Sequence, residues 1–170
     1  MLKIVGAALI LWGSVYVGVA LSFDGTRRVR QNDAFCRLLS EISRGISGMR
    51  LPILSVIAEY SDDTLESCGF LPDARARIAR GEVHDVIGHA VREIEGRGHL
   101  SLDKTEIALL CAYSAESGTE DAASEVRRCE YYLSKLAEIG REAAAEAPKR
   151  AKIYRTVSFA IGALCVLGLF

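Results

Sequence analysis

The residues of this chain that could do chemistry are three histidines, five cysteines and a few paired carboxylates. His89 stands four residues after Asp85 and four before Glu93, the spacing at which side chains meet on a helix face. An imidazole between two carboxylates can in principle hold a metal ion. Solvated side-chain pairs on an exposed helix face explain the same spacing with less, and that reading is preferred. His84 precedes His89 by five residues and so falls on another face, while His99 stands alone in a loop. The cysteines, Cys36, Cys68, Cys111, Cys129 and Cys165, are odd in number and widely spaced, with no C-x-x-C. They form neither a disulfide framework nor a zinc site, and read as small apolar residues in a reducing compartment.

The pairs Asp62-Asp63 and Glu120-Asp121 fall at expected helix starts, where negative charge favours the helix dipole. Arg75, Arg77 and Arg80 form a small basic cluster, read either as a solvated face or as a surface for an acidic partner. Phosphate-binding glycine loops, a nucleophile elbow and an H-E-x-x-H helix are all missing from the sequence. Nothing assembles a nucleophile, a base and an oxyanion site, so neither enzymatic activity, nor a cofactor, nor a metal is expected.

The elements that position these residues follow from composition and periodicity. With 170 residues the chain has room for one compact domain. Lys plus Arg count 21 against 22 Asp plus Glu, and the pI is near 6.3, which argues against nucleic acid as a partner. Half of the residues are hydrophobic although a quarter are charged, because the apolar residues are concentrated at the two ends.

Ile4 to Leu21 carries no charge over 18 positions, roughly 27 Å of helix against a hydrocarbon layer of about 30 Å. Thr156 to Phe170 is uncharged over 15 positions and short for a span. Both are read as transmembrane. Arg27, Arg28 and Arg30 follow the first, and Lys149, Arg150, Lys152 and Arg155 precede the second. The positive-inside bias thus predicts a cytoplasmic centre with both termini across the membrane. The competing reading is a cleaved signal peptide ending near Gly18-Val19-Ala20, which would make the chain an exported, membrane-tethered helical binding module. Ser14 with Gly18, and Ser158 with Gly162, place small residues four apart, a spacing suited to packing between membrane helices.

Between the ends, strand signals are absent and helical periodicity is general. A helix from about Arg27 to Arg44 carries Phe35, Leu38, Leu39 and Ile42 on one face, and Gly45 to Gly48 is expected to end it. Leu51-Pro52 opens a short helix, and further pieces follow at about 63–68, 72–80 and 82–95. Gly96-Arg97-Gly98 marks a break, and Asp103 with Glu106 three residues on is a capping box. The helix it starts stops at Gly118. The last helix carries Ala122, Val126, Cys129, Leu133, Leu136, Gly140, Ala143 and Ala147 at alternating steps of four and three, a seam whose small residues admit a second backbone closely. Glu146 to Arg150, with Pro148, reads as a linker. The expected fold is all-α, a small bundle of five to seven helices (24–150) flanked by transmembrane helices at 1–22 and 153–170.

This arrangement resembles the stage III sporulation protein AB family. The resemblance is carried by Met1-Leu2-Lys3-Ile4-Val5-Gly6 at the start and by Leu39 with Glu41-Ile42. Leu51-Pro52, Gly118 with Asp121, and Lys152-Ile153-Tyr154-Arg155 before an apolar end complete it. Arg44, Met49-Arg50 and Ser158 depart from the family's pattern. The resemblance implies a bundle similar to the cytoplasmic domains of the inner-membrane platform proteins of type II secretion and type IV pilus machines. It further implies a place in the complex linking mother cell and forespore, in the mother-cell membrane facing the forespore. The expected partners are a cytoplasmic secretion-type ATPase similar to stage III sporulation protein AA, and other membrane subunits. Glu41, Leu51, Pro52, Gly118 and Asp121 are candidate contacts on that basis, with local structural roles as the alternative for Pro52, Gly118 and Asp121; Arg75, Arg77 and Arg80 join them as the basic cluster.

Overall fold

A computed structural model describes residues 2–118 and 121–167, apart from the side chains of 2–11, 14, 15, 17–24, 150, 154, 155, 159 and 162–167. Among the described residues every regular element is helical. The helices are α1 (Leu2–Arg44), α2 (Ile53–Glu59), α3 (Asp63–Ser67), α4 (Phe70–Ala79), α5 (Val86–Gly96), α6 (Lys104–Glu116) and α7 (Ala122–Leu167). The chain divides into two compact units, one of residues 28–141 and one formed by 1–27 with 142–170.

In the first unit the α1 face foreseen from periodicity is the core. Phe35, Leu38, Leu39 and Ile42 are buried together with Ile57, Leu65, Phe70, Leu71, Ile94, Leu110 and Leu136. Phe35 meets Phe70 edge to face, with ring centroids 4.9 Å apart. The N-termini of α3, α6 and α7 are satisfied by aspartates. Asp62 accepts from the Thr64 and Leu65 N–H groups, Asp121 from those of Ala123 and Ser124, and Asp103 forms a full capping box with Glu106.

Glu106 does more than cap. Its side chain is fully buried, and it accepts from the Asp103 N–H at 2.7 Å, from Arg28 Nε at 2.8 Å and from Asn32 Nδ2 at 2.6 Å. Asn32 Nδ2 also donates to the Leu136 carbonyl at 3.2 Å. One polar network therefore ties α1, α6 and α7 together inside the core. Opposite Asn32 sits Gly140, where an added Cβ would lie 2.2 Å from Asn32 Oδ1. The small residues of the last helix thus admit the backbone of α1, and in the other unit Gly25 of α1 likewise faces Ala147 at 3.7 Å.

The first α-helix ends at Arg44, where Gly45 to Gly48 are expected to stop it, and the chain goes on as a π-turn over Gly45–Met49 before leaving at Arg50, which is left-handed at φ 53°. Gly45 is needed here for proximity, since a Cβ would lie 2.6 Å from Val56 Cγ2. One sequence expectation is corrected: Pro148 is no linker, because it lies inside α7. A proline there removes one helical hydrogen bond, and the carbonyl four residues earlier belongs to Ala144, which is exposed and open to water.

None of the four described thiols is in a disulfide; Cys68 and Cys129 are buried and Cys36 and Cys111 half-buried, and Cys165 lies outside the described side chains. Burial pushes Cys36 up to about 11, helped by Asp33 and Glu106, and burial likewise pushes Cys129 up to about 11. A thiol reacts as its thiolate. Labelling of both at pH 8 is therefore expected to be slow in the folded protein and fast in urea, as a thiol-reactive chromophore would report. Fast labelling of both in the native state would contradict this packing.

Among the described residues no helix is long and apolar enough to cross a membrane. Most side chains of the segment read as the first span, and the final residues of the second, lie outside the described residues.

Candidate interaction groove

Four separate stretches of the 28–141 unit converge on one concave site. The first runs from the end of the π-turn into α2, through Arg50, Leu51, Pro52, Ile53 and Leu54. The second is the turn into α5 with Val83 and Asp85, the third is the end of α6 with Ser114, Ser117 and Gly118, and the fourth is the start of α7 with Ala122 and Glu125. The cavity measures about 420 Å³ and its walls are mainly aliphatic. That lies within the range of roughly 300–1,000 Å³ typical of ligand pockets.

Local chemistry explains how each stretch reaches the site. Pro52, at φ −60° and ψ 143°, is the residue from which α2 starts, so its ring is on the groove wall and the helix begins behind it. Gly118 follows the C-terminus of α6 at φ 82°, a conformation that turns the chain back toward α7. Its N–H donates to Glu125 Oε2 at 3.1 Å, which joins the end of one helix to the start of the next. Arg50 and Asp85 are the two non-glycine residues with positive φ among the described residues, and both border the groove.

Two carboxylates face this space. Asp85 pairs with Arg92, two turns on along α5. Burial alone would raise its carboxyl, but the Ser114 hydroxyl and the Arg92 guanidinium outweigh burial and hold it below its ordinary value of 3.8. Glu125 is 4% exposed. Its Oε2 takes the Gly118 N–H and Arg128 Nη1, the latter at 2.9 Å, whereas its Oε1 is buried without a hydrogen-bond partner among the described residues.

Leu51, Pro52 and Gly118, singled out in the sequence, are brought together here. Asp121 adjoins the groove as the N-cap of α7 rather than lining it. Glu41 stands apart on α1, half-buried and paired with Arg44. The basic cluster is not a free cationic face. Arg75 binds Glu66 at 2.6 Å and the Tyr60 and Ala58 carbonyls, Arg77 binds Asp73 at 2.6 Å and Glu82, and Arg80 reaches Glu82 at 3.4 Å. Reversing all three to Glu is therefore expected to cost stability, by about 1–2 kcal/mol, chiefly through Arg77, whose pair with Asp73 is the most shielded from water. An unchanged urea midpoint for the triple reversal would contradict it. Ser14, Gly18 and Gly162 lie outside the described side chains, and Ser158 is half-buried on α7.

Sequence reasoning missed Val83, Ser114 and Glu125, and took Asp85 only as a helical partner of His89. Of the three, Glu125 left a signal, as an acidic residue one step from the apolar seam of the last helix. His89 lies 3.7 Å from both Glu82 and Asp85, and among the described residues no three His, Cys, Asp or Glu side chains converge as a metal site.

Asp62 and Asp85 also set an acid limit. Burial would raise Asp62, but Arg37 and the N–H groups of Leu65 and Thr64 hold it below 3.8. A carboxylate depressed in the folded state stabilises it fully above the ordinary value and loses that contribution as pH falls through the folded value. The urea midpoint is therefore expected to hold down to about pH 4 and to drop below it, and to drop less in Asp62→Asn.

Neither the curated proteins nor the solved structures offer a match to this chain. One family model does, that of stage III sporulation protein AB, and it covers residues 3–170. With nearly the whole chain matched, the protein belongs to the stage III sporulation protein AB family and has its role in sporulation.

Proposed function

We propose that this protein is a non-catalytic, membrane-anchored platform. In this reading its helical domain docks a cytoplasmic ATPase within a secretion-like complex between mother cell and forespore, and both termini lie across the mother-cell membrane. The observation that carries the anchoring is the pair of apolar stripes in the unit formed by 1–27 and 142–170. Trp12 and Tyr16, four apart on α1, are 82% and 76% exposed. Ile153, Val157 and Ile161, at successive steps of four on α7, are exposed as well. Large apolar side chains in register along a helix face are costly in water at about 25 cal/mol per Å² and are favourable against lipid. The arginines and lysines flanking the two uncharged segments support a cytoplasmic position for the domain between them. The docking role rests on family membership and on the groove, a concave and mainly aliphatic surface.

The exposed turn Gly96-Arg97-Gly98 is the place to test this, since insertion there disturbs no buried group. A protease site inserted at this turn is expected to resist protease in intact protoplasts and to be cut after lysis. Cutting in intact protoplasts would discard the platform and favour the exported, tethered module. Co-purification of the full chain with the ATPase tests the partner directly.

A further inference from the structure

Beyond Glu146 the charge of the chain becomes one-sided. From residue 147 to 170 it carries Lys149, Arg150, Lys152 and Arg155 and no Asp or Glu. Burial along this part of α7 follows the helical period. Ala143, Ala147, Ala151 and Ser158 are half-buried, on the side where Gly25 of α1 approaches Ala147 at 3.7 Å. Lys149, Lys152, Ile153, Thr156, Val157 and Ile161 are exposed and recur at steps of three and four, so they lie side by side in one stripe. The stripe has an order, with two ammonium groups first and three large apolar side chains after them. Thr156 between them donates its hydroxyl to the Lys152 carbonyl at 3.0 Å and is satisfied within the helix. Lys149 and Lys152 have no acidic partner among the described residues, whereas Arg28, Arg37, Arg75, Arg77 and Arg92 of the 28–141 unit are all in ion pairs.

We infer that this stripe of α7 holds an anionic phospholipid of the adjoining leaflet, with its phosphate between Lys149 and Lys152 and an acyl chain along Ile153, Val157 and Ile161. Side chains three apart on a helix are neighbours, so both ammonium groups reach one phosphate. From Ile153 to Ile161 the stripe runs about 12 Å, which fits within one leaflet of about 15 Å. A charged contact followed along one line by apolar contacts is complementary to an amphiphile. A free phosphate at the two cations leaves the three apolar side chains uncovered. Basic residues beside a membrane favour anionic lipid by about fivefold each, or about 25-fold for the pair. The inference rests on the anchoring proposed above and adds to it a choice of lipid.

The test uses the full chain in uncharged detergent, with native mass spectrometry reading the lipids that stay bound. The probes are dioleoylphosphatidylglycerol and dioleoylphosphatidylcholine in equal amounts, which share their chains and differ in net charge. Wild type should retain the anionic lipid about tenfold or more over the zwitterionic one. Lys149→Gln combined with Lys152→Gln should abolish that preference while leaving the circular dichroism unchanged. Lys104→Gln combined with Arg127→Gln removes the same charge from exposed positions of the 28–141 unit and should leave the preference intact. Equal loss of preference in the two double variants overturns the inference, because net charge alone then selects the lipid. Glycerol phosphate, a headgroup without chains, should not displace the bound lipid at millimolar concentration; displacement overturns the inference by giving the site to phosphate alone. Dimers of wild type that Val157→Ser removes overturn it by giving the stripe to a second copy of this chain. A wild-type chain that needs detergent yet retains both lipids equally sinks this inference alone. One that stays dispersed without detergent and retains neither lipid sinks the anchoring as well.

Discussion

Glu106→Ala is expected to lower the stability of the folded domain by about 3–5 kcal/mol, the range seen when one partner of a buried ion pair is removed. Three donors lose their acceptor at once: the Arg28 guanidinium, the Asn32 amide and the Asp103 N–H. Arg28 is 24% exposed and can recover part of its hydration, which keeps the loss toward the lower end. The Asn32 amide is buried and cannot recover it, apart from its bond to the Leu136 carbonyl. Glu106→Gln is the informative companion. A glutamine has one acceptor oxygen where Glu106 uses two, so it keeps either the Asn32 bond or the capping box and sets its NH2 against a donor at the other; it should cost about 2 kcal/mol, less than the alanine. Urea denaturation of the full chain in detergent, followed by circular dichroism, separates the two. Equal losses for the two variants would mean that charge alone carries the network, and no loss in Glu106→Ala would mean that the network is not formed.

The second large effect runs against helix propensity. Glycine to alanine in a helix interior normally gains about 1 kcal/mol. At Gly140 the new methyl would collide with Asn32 Oδ1, and Asn32 cannot step aside without breaking its bonds to Glu106 and to the Leu136 carbonyl. Overpacking costs about 1–3 kcal/mol and an abandoned buried donor a similar amount, so Gly140→Ala should be destabilising by about 2 kcal/mol net. The sign should reverse once Asn32 is gone. In an Asn32→Ala background the same Gly140→Ala change is expected to stabilise, because the methyl then fills space and the propensity gain survives. This double-mutant cycle isolates the contact. Additive effects in the two backgrounds would rule out the collision as their cause.

Much of the helical scaffold was legible because local chemistry dictates it. Asp103 and Glu106 announce a capping box by their spacing, Gly96 and Gly98 break the chain where nothing apolar continues, and Phe35, Leu38, Leu39 and Ile42 share one face. The small residues at Gly140 and Ala147 were readable as a site of close approach, and the approaching element proved to be α1. Asn32 could have been read too, since a polar residue in phase with Phe35 and Leu39 needs a buried partner. What could not be read is the partner: Glu106 lies 74 residues away and already had a complete local role as a cap. Pro148 misled because its local preference is to end a helix, whereas α7 runs through it and the carbonyl left without its helical bond, that of Ala144, is on an exposed residue. The groove was illegible for a different reason. Its walls come from four stretches separated by tens of residues, and Val83 or Ser114 has no distinguishing neighbours in sequence. Leu51, Pro52 and Gly118 reached the list only through family resemblance.

The π-turn between α1 and the groove encodes length more than side-chain identity. Ser47, Gly48 and Met49 are exposed, and a Cβ at Gly48 would meet nothing within 4 Å, so these positions should accept substitution. Removing one of them is another matter. One residue fewer lets the turn close with ordinary α-helical bonding, and each residue of an α-helix turns the chain by about 100°. Leu51 through Leu54 would then leave the groove wall and present a different edge. The segment should therefore be permissive in a substitution library and intolerant in a library of single deletions, with chain length there acting as the gauge that sets the shape of the binding surface.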